Sequence, residues 1–278
     1  MHDPGTLDAY LAGEKLYGDD FSPEEIGAWH EDEREGYADL GARDAERYRY
    51  TYHALNARHG FERLPDRRFA RVLGFGSAYG DEFQPLAERI ERLVVVDPSD
   101  AFARDRVHGI PAEYVKPEAH GALPFRDASF DLVTCLGVLH HIPNVSFALS
   151  ELHRCLEPGG YALVREPVIS MGDWRRPRRG LTRRERGIPL PLFRRMIRAT
   201  GFRVASERLC LFPLIPRLWR ALGRPAYDSP LATRLDALLS RAFAWNLHYH
   251  ATSTVQRFRP TNVYYVLFRE GRGPPSPK

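Results

Sequence analysis

Two short apolar runs, RVLGF at 71–75 and ERLVVVD at 91–97, flank a cluster of small residues, Gly76-Ser77-Ala78-Tyr79-Gly80. Four or five apolar residues without alternation are too few for a buried helix, so each run predicts a strand covered on both faces. The signal recurs in FDLVTCL at 130–136 and GYALVRE at 160–166, around the helix-compatible ALSELHRCLEP at 148–158. A further unit, LFRRMIRATGFRVASERLCLF, has Gly201 as a helix stop before another strand, and NVYYVLFRE at 262–270 reads as the last strand. Alternation of this kind gives an open α/β sheet with helices on both faces. Ligands of such sheets bind outside the carboxyl ends of the strands, where the strand order reverses.

The flanking segments read differently. Residues 1–68 lack a parallel-strand pattern and predict a helical N-terminal flank or lid, with a capping box at Ser22-Pro23-Glu24-Glu25. The α/β core spans 69–211. Residues 212–260 predict a helical insertion or acceptor-side cap, residues 261–270 the final core strand, and residues 271–278 a flexible tail. For the Leu, Phe and Trp residues of 212–260 the simplest expectation is that they pack the insertion's own core; an acceptor wall and peripheral membrane contact are the alternatives.

Charge is strongly segregated. Residues 1–46 carry 14 acidic residues against Lys15, Arg34 and Arg43, whereas residues 173–198 carry ten arginines against Asp173 and Glu185. The basic segment has three readings: a solvated loop, an anionic-substrate rim of Arg175, Arg176, Arg178 and Arg179 with Trp174 stacking on a ring, or a partner for the acidic N-terminal segment. The cluster is local and no nucleic-acid module accompanies it, so a nucleic-acid site is not expected. Three widely spaced cysteines, Cys135, Cys155 and Cys210, predict buried thiols in a reducing compartment rather than a disulfide framework. No apolar run reaches the length of a membrane span and the N-terminus lacks a secretion-signal pattern, so a cytoplasmic location is expected.

Candidate site residues follow from the strand ends. Gly76 and Gly80 lie where a missing side chain lets the backbone turn tightly beneath a ligand. Asp97, directly after ERLVVV, is placed to accept from the two hydroxyls of a ribose. Of the pair His140-His141, a structural hydrogen-bonding role is the leading reading, ahead of ligand contact, and no metal is expected.

The pieces VLGFGSAYG, VVVDPS, GALPFRDASFDLVTCLGVLHHIPN and ELHRCLEPGGYALVRE together resemble the class I S-adenosylmethionine-dependent methyltransferase family over roughly residues 70–166, with weaker continuation to 208 and at 262–269. The resemblance implies a Rossmann-like, seven-stranded, mainly parallel sheet with an antiparallel last strand. It implies S-adenosylmethionine as cofactor, held by Gly74, Gly76, Ser77, Gly80, Asp97, Pro98, Ser99, Ala119, His120, Leu136 and Gly137. Two departures stand out: Gly74 replaces an acidic residue common in the family, with Ala78 in place of a glycine, and Ala119-His120 replaces an Asp-Ala pair, for which Glu118 or His120 is a substitute. Methyl transfer from a sulfonium needs alignment and water exclusion rather than a protein nucleophile. His141, Glu166 and Asp173 are the candidate bases for an alcohol acceptor. A weaker likeness of GDWRRPRRGLTRRERGIP to glycan-associated bacterial methyltransferases implies O-methylation of a small or glycan-linked, anionic acceptor. The competing expectations are a non-catalytic partner-binding protein and a dinucleotide-dependent oxidoreductase, whose usual glycine spacing the loop lacks.

Overall fold

The computed structural model describes residues 4–43, 49–118, 121–174, 176–178 and 180–271. Its centre is one eight-stranded sheet. The strands are β1 (Val72–Phe75), β2 (Leu93–Val96), β3 (Arg106–Val107), β4 (Ile110–Val115), β5 (Phe130–Leu136), β6 (Leu156–Pro167), β7 (Arg203–Cys210) and β8 (Asn262–Phe268). Their order is β3-β4-β2-β1-β5-β6-β8-β7. β4, β2, β1, β5 and β6 run parallel, and β8 inserts between β6 and β7, antiparallel to both. The sheet therefore has one strand more than the seven expected. The addition is the two-residue β3, which folds back on β4 as an antiparallel edge through the turn at His108-Gly109, both at positive φ.

All four residues of β1 and of β2 are buried, as their unalternated apolar runs require. One core layer lies against α4 (Val145–Cys155) and α5 (Leu190–Ala199); the other is capped by α3 (His53–His59) and the 212–243 region. Cys135, Cys155 and Cys210 are free and buried. The segment after the glycine loop, Asp81–Arg89, winds as a 3-10 helix. Pro85 within it offers no N–H for the longer hydrogen bond.

The N-terminal flank contains α1 (Pro4–Ala12) and α2 (Pro23–Arg43). The capping box forms: Ser22 N donates to Glu25 Oε2 at 2.9 Å, and Glu25 N to Ser22 Oγ at 3.3 Å. Trp29, fully buried, donates from Nε1 to His141 O at 2.7 Å and so ties α2 to the loop after β5.

Beyond β7 the chain forms α6 (Leu214–Ala221) and α7 (Pro230–Ala242). α7 departs from the expectation of a packed apolar face. It buries Ala232, Thr233, Asp236 and Ser240 and turns Leu231, Leu235 and Leu238 outward. The polar side is held inward because the Asp236 carboxylate accepts from Leu211 N at 3.0 Å, Phe212 N at 2.6 Å and Tyr227 Oη at 3.3 Å. Burial raises that carboxyl to about 6, against the hydrogen bonds that favour its charge.

Candidate cofactor cleft and its supporting network

The carboxyl ends of β1 and β5 frame a cleft of about 270 Å³, lined on one side by Gly76, Ser77 and Ala78 and on another by Leu136 and Gly137. This is where the strand order reverses. Gly76 has φ +66°, and a Cβ there would stand 2.6 Å from a Val138 methyl, so both backbone and space exclude a side chain. Gly74 is buried within β1 and is not among the residues lining the cleft, and a Cβ added to it would meet Ser77 Oγ at 2.5 Å. Gly80 is in the left-handed region and closes the loop, Gly80 N donating to Ser77 O at 2.7 Å.

Asp97 stands at the end of β2, nearly buried. Its Oδ2 accepts from Ala78 N at 3.2 Å and its Oδ1 from Ser99 N at 3.0 Å. Burial pushes its carboxyl above the usual range, opposed by those two N–H groups. The carboxylate thus binds the glycine loop directly and retains acceptor capacity toward the cleft. Ser99 Oγ accepts from Ala101 N, and Pro98 is exposed on the turn. Ala119 and His120 lie outside the described residues, and Glu118 beside them is exposed.

Six cleft residues escape the sequence reading, Arg49, Tyr50, Thr51, Tyr52, Glu82 and Arg165, and of these Glu82 and Arg165 are the buried charged groups. Glu82 sits on the 3-10 segment, buried, and burial raises its carboxyl to about 7. Arg165, from β6, is also buried, donating to Asn56 Oδ1 at 3.2 Å and Leu136 O at 3.5 Å, with its guanidinium 4.1 Å from the Tyr52 ring centroid. Among the described residues no carboxylate forms an ion pair with Arg165. The sequence signal for Glu82 was its position two residues past the glycine loop, but only the fold brings it to the same cleft as Arg165.

The candidate bases are placed apart from this cleft. Glu166 is fully buried, and Oε1 accepts from Val138 N and Leu139 N, each at 2.8 Å. Its Oε2 accepts from His140 N at 3.3 Å and contacts His140 Nδ1 at 2.7 Å. These contacts make Glu166 the anchor of the loop after β5. His140 Nε2 lies 3.4 Å from Glu185 Oε1. Burial pulls the His140 imidazole down, but its two carboxylate partners outweigh that and raise it to about 9; Glu185, despite burial, is held at about 2. His141 pairs through Nδ1 with Glu33 Oε2 of α2 at 3.1 Å, and burial followed by the neighbouring His140 lowers its imidazole. Among the described residues, His140, His141 and Glu185 form a group with metal-ligand atoms within 4.8 Å of one another. In this structure those residues are engaged in a proton-sharing network with Glu166 and Glu33.

The basic segment meets the acidic flank. Arg183 and Arg184 pair with Asp32 at 3.2 and 2.5 Å, Arg184 N donates to Glu33 Oε1 at 3.0 Å, and Thr182 Oγ1 to Glu33 Oε2 at 2.7 Å. Arg186, fully buried, donates to five carbonyls: Tyr17 and Leu139, His140, Ile142 and Pro143. Trp174 is buried against Tyr17, ring centroids 4.4 Å apart, and against Tyr10 at 5.8 Å. It packs the flank instead of presenting a face to an acceptor. Arg178 donates to the carbonyls of Met171, Thr182 and Arg183, Arg176 is exposed with Asp173 at 3.9 Å, and Arg175 and Arg179 lie outside the described residues. Asp173 is half-buried in that same segment.

A larger cavity of about 530 Å³ adjoins the cleft and shares Thr51 and Tyr52 with it. Its walls are mainly apolar, including Leu211, Pro213, Pro216 and Tyr227, with Arg220 and Arg224 among them. Tyr52 stacks on Tyr227, centroids 5.7 Å apart, at the junction.

Replacing Asp97 with alanine is expected to weaken S-adenosylmethionine binding by about 1–3 kcal/mol, because it removes charge-assisted bonds and frees the loop N–H of Ala78. Calorimetry on the folded variant checks this; unchanged affinity removes Asp97 from the site.

The chain matches the family model of a methyltransferase domain over residues 73–164. The ubiquinone/menaquinone biosynthesis C-methyltransferase of Xanthomonas campestris is 38% identical over 117 residues, covering 38% of this chain and 46% of that protein. Its counterpart in Rubrivivax gelatinosus is 30% identical over 162 residues, 51% of this chain and 64% of that protein. The chain thus spans about half to under two thirds of the length of these curated relatives. Among solved structures, the [4+2]-cyclase SpnF superposes with a TM-score of 0.54 at 16% identity, covering 91% of this chain and 97% of that one. A phosphoethanolamine N-methyltransferase of Haemonchus contortus gives 0.50 at 15% identity, over 78% and 53%. At such identities the likeness concerns fold alone. By its sheet order, its glycine-loop cleft and the match over 73–164, the chain has the fold of the class I S-adenosylmethionine-dependent methyltransferases.

Proposed function

We propose that the protein transfers the methyl group of S-adenosylmethionine to a small, acidic acceptor with an apolar body. The observation that carries this reading is a pair of neighbouring pockets that share Thr51 and Tyr52 in their walls: a glycine-loop cleft bearing Glu82 and Arg165, and an apolar cavity bearing Arg220 and Arg224. Bound in the cleft, the sulfonium supplies an electrophilic methyl group. Asp97 offers the ribose hydroxyls an acceptor, while Arg165 and Glu82 match the carboxylate and ammonium of the methionyl part. Glu82 in this way replaces the acidic side chain that position 74 lacks, since a side chain on Gly74 would collide with Ser77. Leu136 and Gly137 supply the opposite wall.

An acceptor that ionises in water needs no protein base, and Arg220 and Arg224 favour its anion. Phenols and enols have this chemistry, and both carbon and oxygen methylation are open to them. The quinone-pathway names of the curated relatives support an apolar acceptor. O-methylation of a glycan-linked anion, the expectation from Trp174 and Arg175 to Arg179, draws less support, because Trp174 and Arg178 are occupied within the protein. Labelled S-adenosylmethionine incubated with cell extract, followed by product mass and partitioning, tests the choice. A methylated acidic product that extracts into organic solvent is expected; a sugar product would defeat the acceptor assignment.

Glu82 adds a pH test. Its carboxyl ionises near 7, so cofactor affinity is expected to rise as pH increases from about 6 to about 8, when the carboxylate can meet the ammonium. Glu82→Gln should flatten that dependence in calorimetric titrations. A slope that persists in the variant would assign it to another group.

A further inference from the structure

Eight of the ten large apolar side chains exposed among the described residues lie between Leu218 and Phe258. On α7, Leu231, Leu235 and Leu238 follow the spacing of a single helix face and are 60%, 39% and 63% exposed. Arg234 and Arg241 fall on the same side, both exposed. Leu218 and Leu222, four apart at the end of α6, are 56% and 66% exposed, and Trp245 just past α7 is 74% exposed. A surface helix of a water-bathed protein turns its apolar stripe inward, whereas α7 keeps only Ala232 and Leu239 against the core and turns three leucines outward.

The charge of the region is one-sided. Between 212 and 260 there are seven arginines and two acidic residues, Asp228 and Asp236. Asp236 is buried on backbone N–H groups and Asp228 accepts from His53 N, whereas Arg217, Arg220, Arg224, Arg234, Arg241 and Arg257 are exposed. The outward face therefore combines leucine and tryptophan with guanidinium groups that pair with no carboxylate among the described residues. An apolar interface with a second copy would bring these arginines against each other, whereas an anionic lipid surface neutralises them.

We propose that the α6–α7 region is a membrane-docking surface that lays Leu222, Leu231, Leu235, Leu238 and Trp245 into the headgroup boundary of an anionic bilayer. No described helix is long and apolar enough to cross a membrane, so the contact is interfacial. The long arginine stems add apolar surface while their heads meet lipid phosphates. The mainly apolar cavity beside α6, with Arg220 and Arg224 in its wall, then lies next to the lipid phase. The docking surface itself stands whether or not methyl transfer is the chemistry.

The test uses the full chain with sedimentable vesicles of phosphatidylcholine alone and of phosphatidylcholine with phosphatidylglycerol. Binding is expected on the anionic vesicles, decreasing with salt, and weak on the neutral ones. The triple variant Leu231→Ser, Leu235→Ser and Leu238→Ser should bind at least about tenfold more weakly. Its circular dichroism and S-adenosylmethionine titration establish that the rest of the molecule is intact. Should that variant fail to fold, Arg217→Gln with Arg234→Gln and Arg241→Gln tests the same face through charge. Vesicle binding should also blue-shift tryptophan emission, and Trp245→Phe should remove most of the shift. Three results overturn the proposal: no binding to anionic vesicles, equal binding to neutral ones, or a dimer of the native chain that the triple leucine variant converts to monomer without any lipid effect. Cofactor binding measured on the same samples separates these outcomes from a failure of the methyltransferase reading.

Discussion

Replacing Glu166 with alanine is expected to lower the unfolding free energy by about 3–5 kcal/mol, because it strands three buried backbone donors and takes from a buried histidine charge the nearer of its two carboxylate partners. The donors are the N–H groups of Val138, Leu139 and His140, and the charge is that of His140, whose Nδ1 lies 2.7 Å from Glu166. Cofactor affinity should fall with stability, since Gly137 heads the same loop and lines the cleft. Glu166→Gln keeps the shape but turns one acceptor into a donor, so an intermediate loss is expected in urea titrations. A loss below about 1 kcal/mol for the alanine variant would mean that water replaces the carboxylate. The network also has a pH signature. His140 rises from 6.5 to about 9 on folding, so its contribution is complete below 6.5 and is lost as pH climbs through about 9. Glu185 falls from 4.5 to about 2, so its contribution is present above 4.5 and is lost as pH drops toward 2. In Glu166→Ala the alkaline slope should shrink.

Arg186→Met should cost a similar amount, about 3–5 kcal/mol, although it removes a charge rather than exposing one. Burial lowers this guanidinium only to about 10, so it is charged at neutral pH and satisfies five carbonyls at once. A methionine fills much of the volume but removes the guanidinium donor from all five oxygens, leaving Leu139, His140 and Pro143 O with only their backbone N–H donors and Tyr17 and Ile142 O without that bond. Arg186→Lys should also be poor, because three donors on a point cannot reproduce a planar fork. The distinctive effect is local: Tyr17 O is one of the five acceptors, so hydrogen exchange across residues 14–33 should quicken in the folded variant. Unchanged exchange there would show that Trp29 and the Asp32 and Glu33 contacts hold the flank without Arg186.

The parts of this protein written locally were legible in its sequence. A strand buried on both faces must be apolar throughout, and a loop that turns sharply beneath a ligand must be made of small residues. Those two requirements place β1, β2, the Gly76 turn and Asp97 at the end of β2 from the sequence alone. The capping box at Ser22 and the burial of the cysteines are local in the same sense. What tertiary structure alone decided is the partnership of distant groups. Glu82 and Arg165, far apart in sequence, line one cleft, and Glu166 turns from an acceptor-side candidate into the anchor of a loop nearly 30 positions upstream. The arginines after β6 had three readings in the sequence, a solvated loop, a substrate rim or a partner for the acidic flank, and the fold selects the third for Arg183 and Arg184, which with Thr182 meet Asp32 and Glu33. Charge in a sequence has sign but no address, and its partner is set only when the backbone folds. α7 shows the same limit for hydrophobicity: its leucines predict burial by composition, but Asp236 caps the backbone at Leu211 and Phe212 and thereby turns the polar side of the helix inward.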